Sequence, residues 1–405
     1  MSDPRSPKPA ADPAAWQTAT RLVRGGLSRS PHCETSEALY LNSGYVYDSA
    51  EEAEESFDGT RERYVYSRFR NPTVTMFEER LALLEGAEVC RATASGMAAV
   101  HAALLAQVRA GDRVVASQAL FGSCLWIVAD LLPRYGVEIE LVPGADLAAW
   151  ERALSRPARC VLIETPSNPS LELIDIRAVA DLAHAAGAVL VVDNVFATPL
   201  LQKPLELGAD VVVYSATKHI DGQGRCLGGA ILCSNQLLTD VIGPYLRHTG
   251  PCLSPFNAWL LLKGLETLDL RIARHVENAQ ALAEVLQGHK AVERVLYPGL
   301  SSHPQYALAQ RQMTGGGGII GFEVKGGKAG AYALLNRLAL VDISNNLGDA
   351  KSLITHPWTT THQSRSPEEK HRMGIGEGLL RLSVGLEDIR DLKADFAQAL
   401  DGLAG

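Results

Sequence analysis

No stretch of this chain is both long enough and apolar enough to cross a bilayer; its apolar runs, such as 188–192 and 211–214, have the length of buried strands. An excess of basic charge is missing too. Lys and Arg number 38 against 46 Asp and Glu, a net charge of −8, which excludes the cationic footprint of a nucleic-acid binder. Cysteine is sparse and lacks pattern. The seven (Cys33, Cys90, Cys124, Cys160, Cys226, Cys233 and Cys252) are odd in number and form no C-x-x-C, so neither a disulfide framework nor a zinc site is expected. Most of them read as small buried residues. No G-x-G-x-x-G follows an early strand, and Gly315–Gly318 fits neither a dinucleotide nor a Walker loop, leaving a flexible loop as the expectation. Residues 1–15 are rich in Pro, Ala and Asp and lack an apolar core. Disorder is expected there rather than a signal peptide, with the cytoplasm as the expected location.

What is present is ordinary globular composition, 46% hydrophobic and 21% charged, in 405 residues, too many for one small core. Short segments rich in Val and Ile recur at 113–117, 137–142, 160–165, 189–194, 211–216 and 228–233, with helical stretches such as 176–186 between several of them. They are apolar on both faces, the pattern of a parallel sheet covered by helices. Ahead of them, Thr75-Met76-Phe77-Glu78 fits a capping box, with Gly86 as the helix stop. Residues 256–286 read as one long helix leading out of the first domain. Strands at 319–324 and 379–383 and a helix at 329–338 read as a smaller α/β domain.

Ligands of open parallel sheets bind at the carboxyl ends of strands. Three such ends carry polar groups here: Glu164-Thr165-Pro166-Ser167-Asn168-Pro169, Asp193-Asn194, and Tyr214-Ser215-Ala216-Thr217-Lys218-His219. A lysine just past a buried strand has its pKa lowered by burial, which frees the amine to attack an aldehyde and form an imine. By itself it reads rather as a surface lysine in a loop. Asp193 would partner a pyridinium nitrogen, although a strand-end cap is the commoner use of such a residue. Ser95-Gly96-Met97 opens an apolar helix whose amides would attract a phosphate, with Ser215 and Thr217 as further donors; Ser95 is also an ordinary N-cap. The rival reading of Tyr214-x-x-x-Lys218 as a dehydrogenase pair needs both residues on one helix, whereas Tyr214 ends a strand.

Together with Tyr66-Ser67-Arg68-x-x-Asn71-Pro72-Thr73 and Arg381-Leu382-Ser383-Val384-Gly385, these motifs resemble the Cys/Met-metabolism family of PLP (pyridoxal 5′-phosphate) enzymes of fold type I, over nearly all of the chain from about residue 20. The resemblance implies an α/β fold: a large domain with a mostly parallel sheet and helices on both faces, at 71–265, and a smaller C-terminal α/β domain at 266–405. It implies an arm, residues 1–70, whose part beyond about residue 15 contacts a neighbouring subunit. Lys218 would hold PLP and shuttle protons, Asp193 would pair with the ring nitrogen, and Ser95, Gly96, Met97, Ser215 and Thr217 would bind the phosphate. Tyr66 and Arg68 would reach the phosphate of a neighbouring subunit in a homotetramer, a dimer of active dimers, with Tyr66 also near substrate. Arg381 would clamp the substrate α-carboxylate, for which a guanidinium has bidentate geometry; an outward salt bridge is the alternative for this strand residue. Asn168 would help to orient cofactor or substrate, unless it only forms a turn.

Two departures stand out. The family usually stacks a Tyr on the cofactor ring; here Phe121-Gly122-Ser123-Cys124 keeps the stacking face without a phenol, so any acid–base role at that place moves elsewhere. Asn346 stands before Leu347-Gly348-Asp349, where other branches show Ser. Both features are most similar to the branch that replaces the succinyl group of O-succinylhomoserine with sulfide. The alternatives are transfer to cysteine, use of the O-acetyl ester, γ-elimination, and a non-catalytic PLP-fold binding protein. That last reading predicts loss of the lysine, the acid or the arginine, and all three are present.

Overall fold

The structure is a computed structural model, and it describes residues 12–403. The disorder expected for 1–15 falls mostly outside the described residues; Pro13–Ala15 forms a short 3-10 turn capped by Asp12.

Seven strands, β1 (Val89–Thr93), β2 (Arg113–Ser117), β3 (Glu138–Val142), β4 (Cys160–Glu164), β5 (Val189–Asp193), β6 (Val211–Ser215) and β7 (Gly229–Cys233), form one sheet in the order β1-β7-β6-β5-β4-β2-β3. The pairs among β2 to β6 are parallel, as expected. The strand expected at 228–233 does form, but β7 runs antiparallel to both β6 and β1. A parallel return needs a crossover element on one face. Residues 216–228 supply only turns, so the chain doubles back. β1 escaped the sequence reading because Arg91 interrupts a short run.

Side chains on a strand alternate between faces. On β5, Leu190 and Val192 pack with the helices Pro72–Glu85, Ile176–Ala185 and Pro255–Leu265, whereas Val191 packs with the helix Gly96–Leu105 on the other face. Val161 and Ile163 of β4 and Val212 and Tyr214 of β6 share the first face; Cys160, Leu162, Val211 and Val213 share the second. This parity places Glu164, Asp193 and Ser215 toward the Gly96–Leu105 side, and Tyr214 toward the opposite one.

Three local expectations are corrected. Thr75 does not cap its helix. Pro72–Glu85 starts four residues earlier, where Asn71 Oδ1 accepts from Thr73 N at 3.0 Å and from Val74 N at 3.5 Å. Proline suits the first helical position because its missing N–H would be unpaired there anyway. Gly86 ends the helix as expected, with φ +86° in the left-handed region. The single helix at 256–286 is two, Pro255–Leu265 and Leu268–Gln287, with the break at Glu266–Thr267. The Arg271 side chain donates to Gly264 O at 2.7 Å, satisfying a carbonyl at the break. Gly315–Gly318 is a loop, but Tyr297 Oη donates to Gly317 O at 2.9 Å and pins it.

The second sheet adds β8 (Val292–Leu296), β9 (Ile319–Val324), β10 (Asp342–Ile343), β11 (Leu353–Thr355) and β12 (Leu379–Ser383), in the order β10-β11-β12-β9-β8. Helices Leu268–Gln287 and Ile389–Asp401 cover it, with Leu282, Leu286, Leu392 and Phe396 in its core. The helix expected at 329–338 spans Gly327–Leu335. Among the described residues all seven cysteines are free, no cluster could hold a metal ion, and no helix is long and apolar enough to cross a membrane.

On the far side of the main sheet from Asp193, Tyr214 Oη donates to Glu85 Oε2 at 2.5 Å and Asn194 Nδ2 donates to Tyr214 Oη at 2.6 Å. Burial pushes Glu85 up to about 7 from its ordinary 4.5, and its Oε1 has no partner among the described residues. The folded state therefore favours the protonated acid, and stability falls as pH rises from 4.5 through 7. Glu85→Gln keeps an acceptor for Tyr214 and removes the titration. It is expected to stabilise the protein by ~1–3 kcal/mol at pH 8 and by nothing comparable at pH 4.5. Unfolding in denaturant at the two pH values measures the difference; equal effects at both would contradict this account.

Candidate active site

The second face of the main sheet ends in a cavity of about 410 Å³. One wall is the start of the helix Gly96–Leu105, capped by Ser95, whose Oγ accepts from Ala98 N at 3.2 Å. A Cβ on Gly96 would lie 2.5 Å from Ser215 Cβ, so only glycine lets this helix start rest on the end of β6. Helix-start amides and the Ser215 hydroxyl thus share one corner, a cradle for an anion. Met97 and Thr217 border it; the Thr217 hydroxyl also bonds Gly228, whose N donates to it at 3.1 Å.

Lys218 lies in the turn after β6. Its Nζ donates to Asn346 Oδ1 at 2.7 Å. Burial, with a smaller contribution from the Arg381 charge, lowers its pKa to about 8, so a substantial neutral fraction exists near neutral pH. Asp193, at the end of β5, is pushed up to about 6 by burial, against a single backbone donor, Val195 N at 3.1 Å. It is a carboxylate short of a cationic partner.

Arg381 arrives from β12 of the second sheet. It is buried, which settles against the outward salt bridge. Its Nη1 donates to Asn168 Oδ1 at 3.0 Å and its Nη2 to Asn345 O at 2.7 Å, while Nε has no partner among the described residues. Phe121 precedes the helix Gly122–Trp126 and lines the same cavity. Eleven of the expected site residues are therefore brought together. Tyr66 and Arg68 are not: Tyr66 is exposed, and Arg68 stacks 4.7 Å from the Phe69 ring centroid beside a separate cavity.

The sequence reading missed Glu164 as a site residue. It pairs in register with Asp193 across β4 and β5, and its two oxygens are divided between two site residues: Oε2 accepts from Phe121 N at 2.6 Å and Oε1 from Asn168 N at 2.8 Å. Burial, then the Asp193 charge, raises its pKa well above the carboxylate range. Strand parity was the available signal, since Glu164 follows Cys160 and Leu162 on the cavity face. A glutamine offers one acceptor, so Glu164→Gln leaves one buried N–H facing an amide N–H. The expected result is a ~10–100-fold loss in kcat/KM with weaker cofactor retention, from an unsatisfied buried donor worth ~1–3 kcal/mol. Steady-state kinetics and cofactor dialysis would check it; unchanged values would leave Glu164 a filler.

These residues fit a pyridoxal phosphate. The cavity holds an amine of lowered pKa, a part-buried acid wanting a cation, a helix-start cradle for the phosphate and the flat face of Phe121.

Residues 19–401 match the family described as Cys/Met metabolism PLP-dependent enzyme. An O-succinylhomoserine sulfhydrylase of Mycobacterium tuberculosis (strain ATCC 25618 / H37Rv) is 56% identical over 403 residues, covering 98% of this chain and 99% of that protein. One from Pseudomonas aeruginosa is 50% identical, covering 95% of each. Among solved structures, a cystathionine gamma synthase from Xanthomonas oryzae pv. oryzae in complex with cystathionine superposes with a TM-score of 0.91 at 37% identity, covering 96% of this chain and 99% of that one.

Proposed function

Because this chain belongs to the Cys/Met-metabolism family of PLP-dependent enzymes, we propose that it replaces the succinyl group of O-succinyl-L-homoserine with sulfide, releasing succinate and forming L-homocysteine. One observation carries the choice of reaction. Two sulfhydrylases of that name are 56% and 50% identical to the chain over nearly its full length, against 37% for the cystathionine gamma synthase. The backbone does not discriminate, since the synthase superposes with a TM-score of 0.91.

Bound PLP supplies an electron sink for carbanionic charge on the substrate. Arg381, already fixed by Asn168 and by the Asn345 carbonyl, is placed to take the substrate α-carboxylate, which would meet its unpaired Nε. Among the described residues Lys218 is the one lysine lining the cavity, and it moves protons at the carbons next to the amine. Phe121 cannot titrate, so the proton traffic falls to Lys218, with Asn346 orienting its Nζ. Asp193 holds a positive charge on the ring nitrogen. The apolar wall of Met97, Val100, Phe121 and Phe196 excludes water, which favours replacement over hydrolysis.

Tyr66 and Arg68 lie outside this chain's own cavity, which supports a role in a neighbour's site; the assembly we propose is a homotetramer built from active dimers, and the location we propose is the cytoplasm. The arm beyond about residue 15 would make the contact with the neighbour.

A competition assay tests the reaction. O-succinyl- and O-acetylhomoserine are offered with sulfide or cysteine. Homocysteine from the succinyl ester and sulfide is expected. Cystathionine as main product would point to a synthase, and 2-oxobutanoate without acceptor to a lyase.

A further inference from the structure

We infer that Arg225 binds the distal carboxylate of the acyl group and so selects a dicarboxylic half-ester over a simple acetyl ester. This rests on the reading of the substrate given above. Such a substrate carries two carboxylates, one on the amino acid and one at the far end of the leaving group. The main cavity offers two cations, Lys218 and Arg381, and both have other work. A third cation is needed, at a distance from Arg381.

A second, more open cavity adjoins the first. The two share Thr217, Leu227 and Asn346, and Asn346 is the residue that holds Lys218 Nζ at 2.7 Å. Arg225 lines this second cavity and is the one cation among its lining residues. Its guanidinium is held in place. Nε donates to Asp221 Oδ1 at 2.9 Å and Nη2 to Asp221 O at 3.0 Å, while Asp221 Oδ2 accepts from Arg225 N at 2.7 Å. Asp221 is fully buried, so the clamp is rigid, and Nη1 has no partner among the described residues. A guanidinium locked on one edge with free donors on another is prepared for a carboxylate at small entropic cost.

Arg271 lies close enough to act on both Arg225 and Asp221, and its own side chain is bonded to the neutral acceptors His219 O, Ile220 O, Gly264 O and Thr267 Oγ1. Asp221 therefore faces two guanidinium groups. The other carboxylate at this rim, Asp349, is paired with Lys351 Nζ at 2.9 Å. Asp269 also acts on Arg271, so the three cations Arg225, Arg271 and Lys351 balance the three carboxylates Asp221, Asp269 and Asp349, and what Arg225 offers an anion is its free Nη1.

The test compares kcat/KM for O-succinyl- and O-acetyl-L-homoserine, with sulfide as acceptor, in the wild-type holoenzyme, Arg225→Leu and Arg225→Lys. Arg225→Leu is expected to lower the succinyl-to-acetyl ratio by about 10–100-fold, mainly through KM for the succinyl ester. Succinate should weaken as an inhibitor by a similar factor. Arg225→Lys keeps the charge without the fork and should fall between. Unchanged visible absorbance of the bound cofactor shows that the variants remain folded; should Arg225→Leu fail this check, Arg225→Lys and the succinate inhibition decide. A ratio that stays within twofold in the folded variants overturns the assignment of Arg225. A wild-type enzyme that does not use the succinyl ester overturns the proposed reaction instead.

Discussion

Lys218→Ala is expected to abolish turnover, by at least ~10³-fold, and to remove the visible absorbance of covalently held cofactor in the same step. Among the described residues Lys218 is the one lysine lining the cavity, and burial has brought its pKa down to about 8. At pH 8 about half of this amine is neutral, against less than a hundredth for a lysine at its ordinary 10.5. Only the neutral amine can attack an aldehyde or accept a proton. General acid–base work alone is worth ~10²–10⁴-fold, and the variant also loses the anchor. Phe121 has no hydroxyl to substitute. Borohydride trapping followed by peptide mass spectrometry should find the cofactor's mass on the peptide containing Lys218 in the wild type and on no peptide of the variant. Turnover at the wild-type rate would remove the basis of the proposed chemistry.

Asp193→Asn has the second largest expected effect. The side chain keeps its shape and its acceptor for Val195 N, so the change is one of charge. Removing one partner of a buried ion pair costs ~3–5 kcal/mol, or roughly 10²–10⁴-fold in cofactor affinity, with a parallel loss of turnover because the ring nitrogen is no longer held protonated. The pH dependence has a definite sign. Burial raises Asp193 to about 6, so the free protein carries the charge above that pH and loses it below. Wild-type affinity for PLP should fall as pH drops through about 6, and that step should be absent in Asp193→Asn. Equilibrium dialysis between pH 5 and 8 measures both. A wild-type affinity flat across that range would show that the carboxylate does not hold the ring.

Much of the site could be read along the chain because its parts sit at strand ends. Asp193 and Lys218 each follow a short apolar run, and Ser95-Gly96-Met97 opens a helix, so each was visible from local pattern. Glu164 was equally near a strand end, yet its role depends on where Phe121 N and Asn168 N come to rest, and no local pattern records that. Arg381 was recognisable by its motif. Its alternative as an outward salt-bridge residue fell only when β12 was found to bring it, buried, against Asn168, more than two hundred positions away in sequence.

The errors have the same origin. β7 looked like its neighbours because apolar composition reports burial on both faces and is silent on direction. Direction followed from the lack of a crossover between 216 and 228. The helix break at Glu266–Thr267 carries no proline or glycine; Arg271 reaching back to the Gly264 carbonyl marks it.

By itself the sequence determined most of the buried strands, and it marked Lys218 as the candidate for the reactive amine and Asp193 as the candidate for the opposing acid, since burial and side-chain chemistry are local properties. Tertiary structure alone decided which strand ends face one another, that Glu164 ties Phe121 to Asn168, and that the cavity beside Arg225 opens onto Asn346. Those are contacts between distant segments, and their positions are set by sheet order and packing rather than by neighbours in the chain.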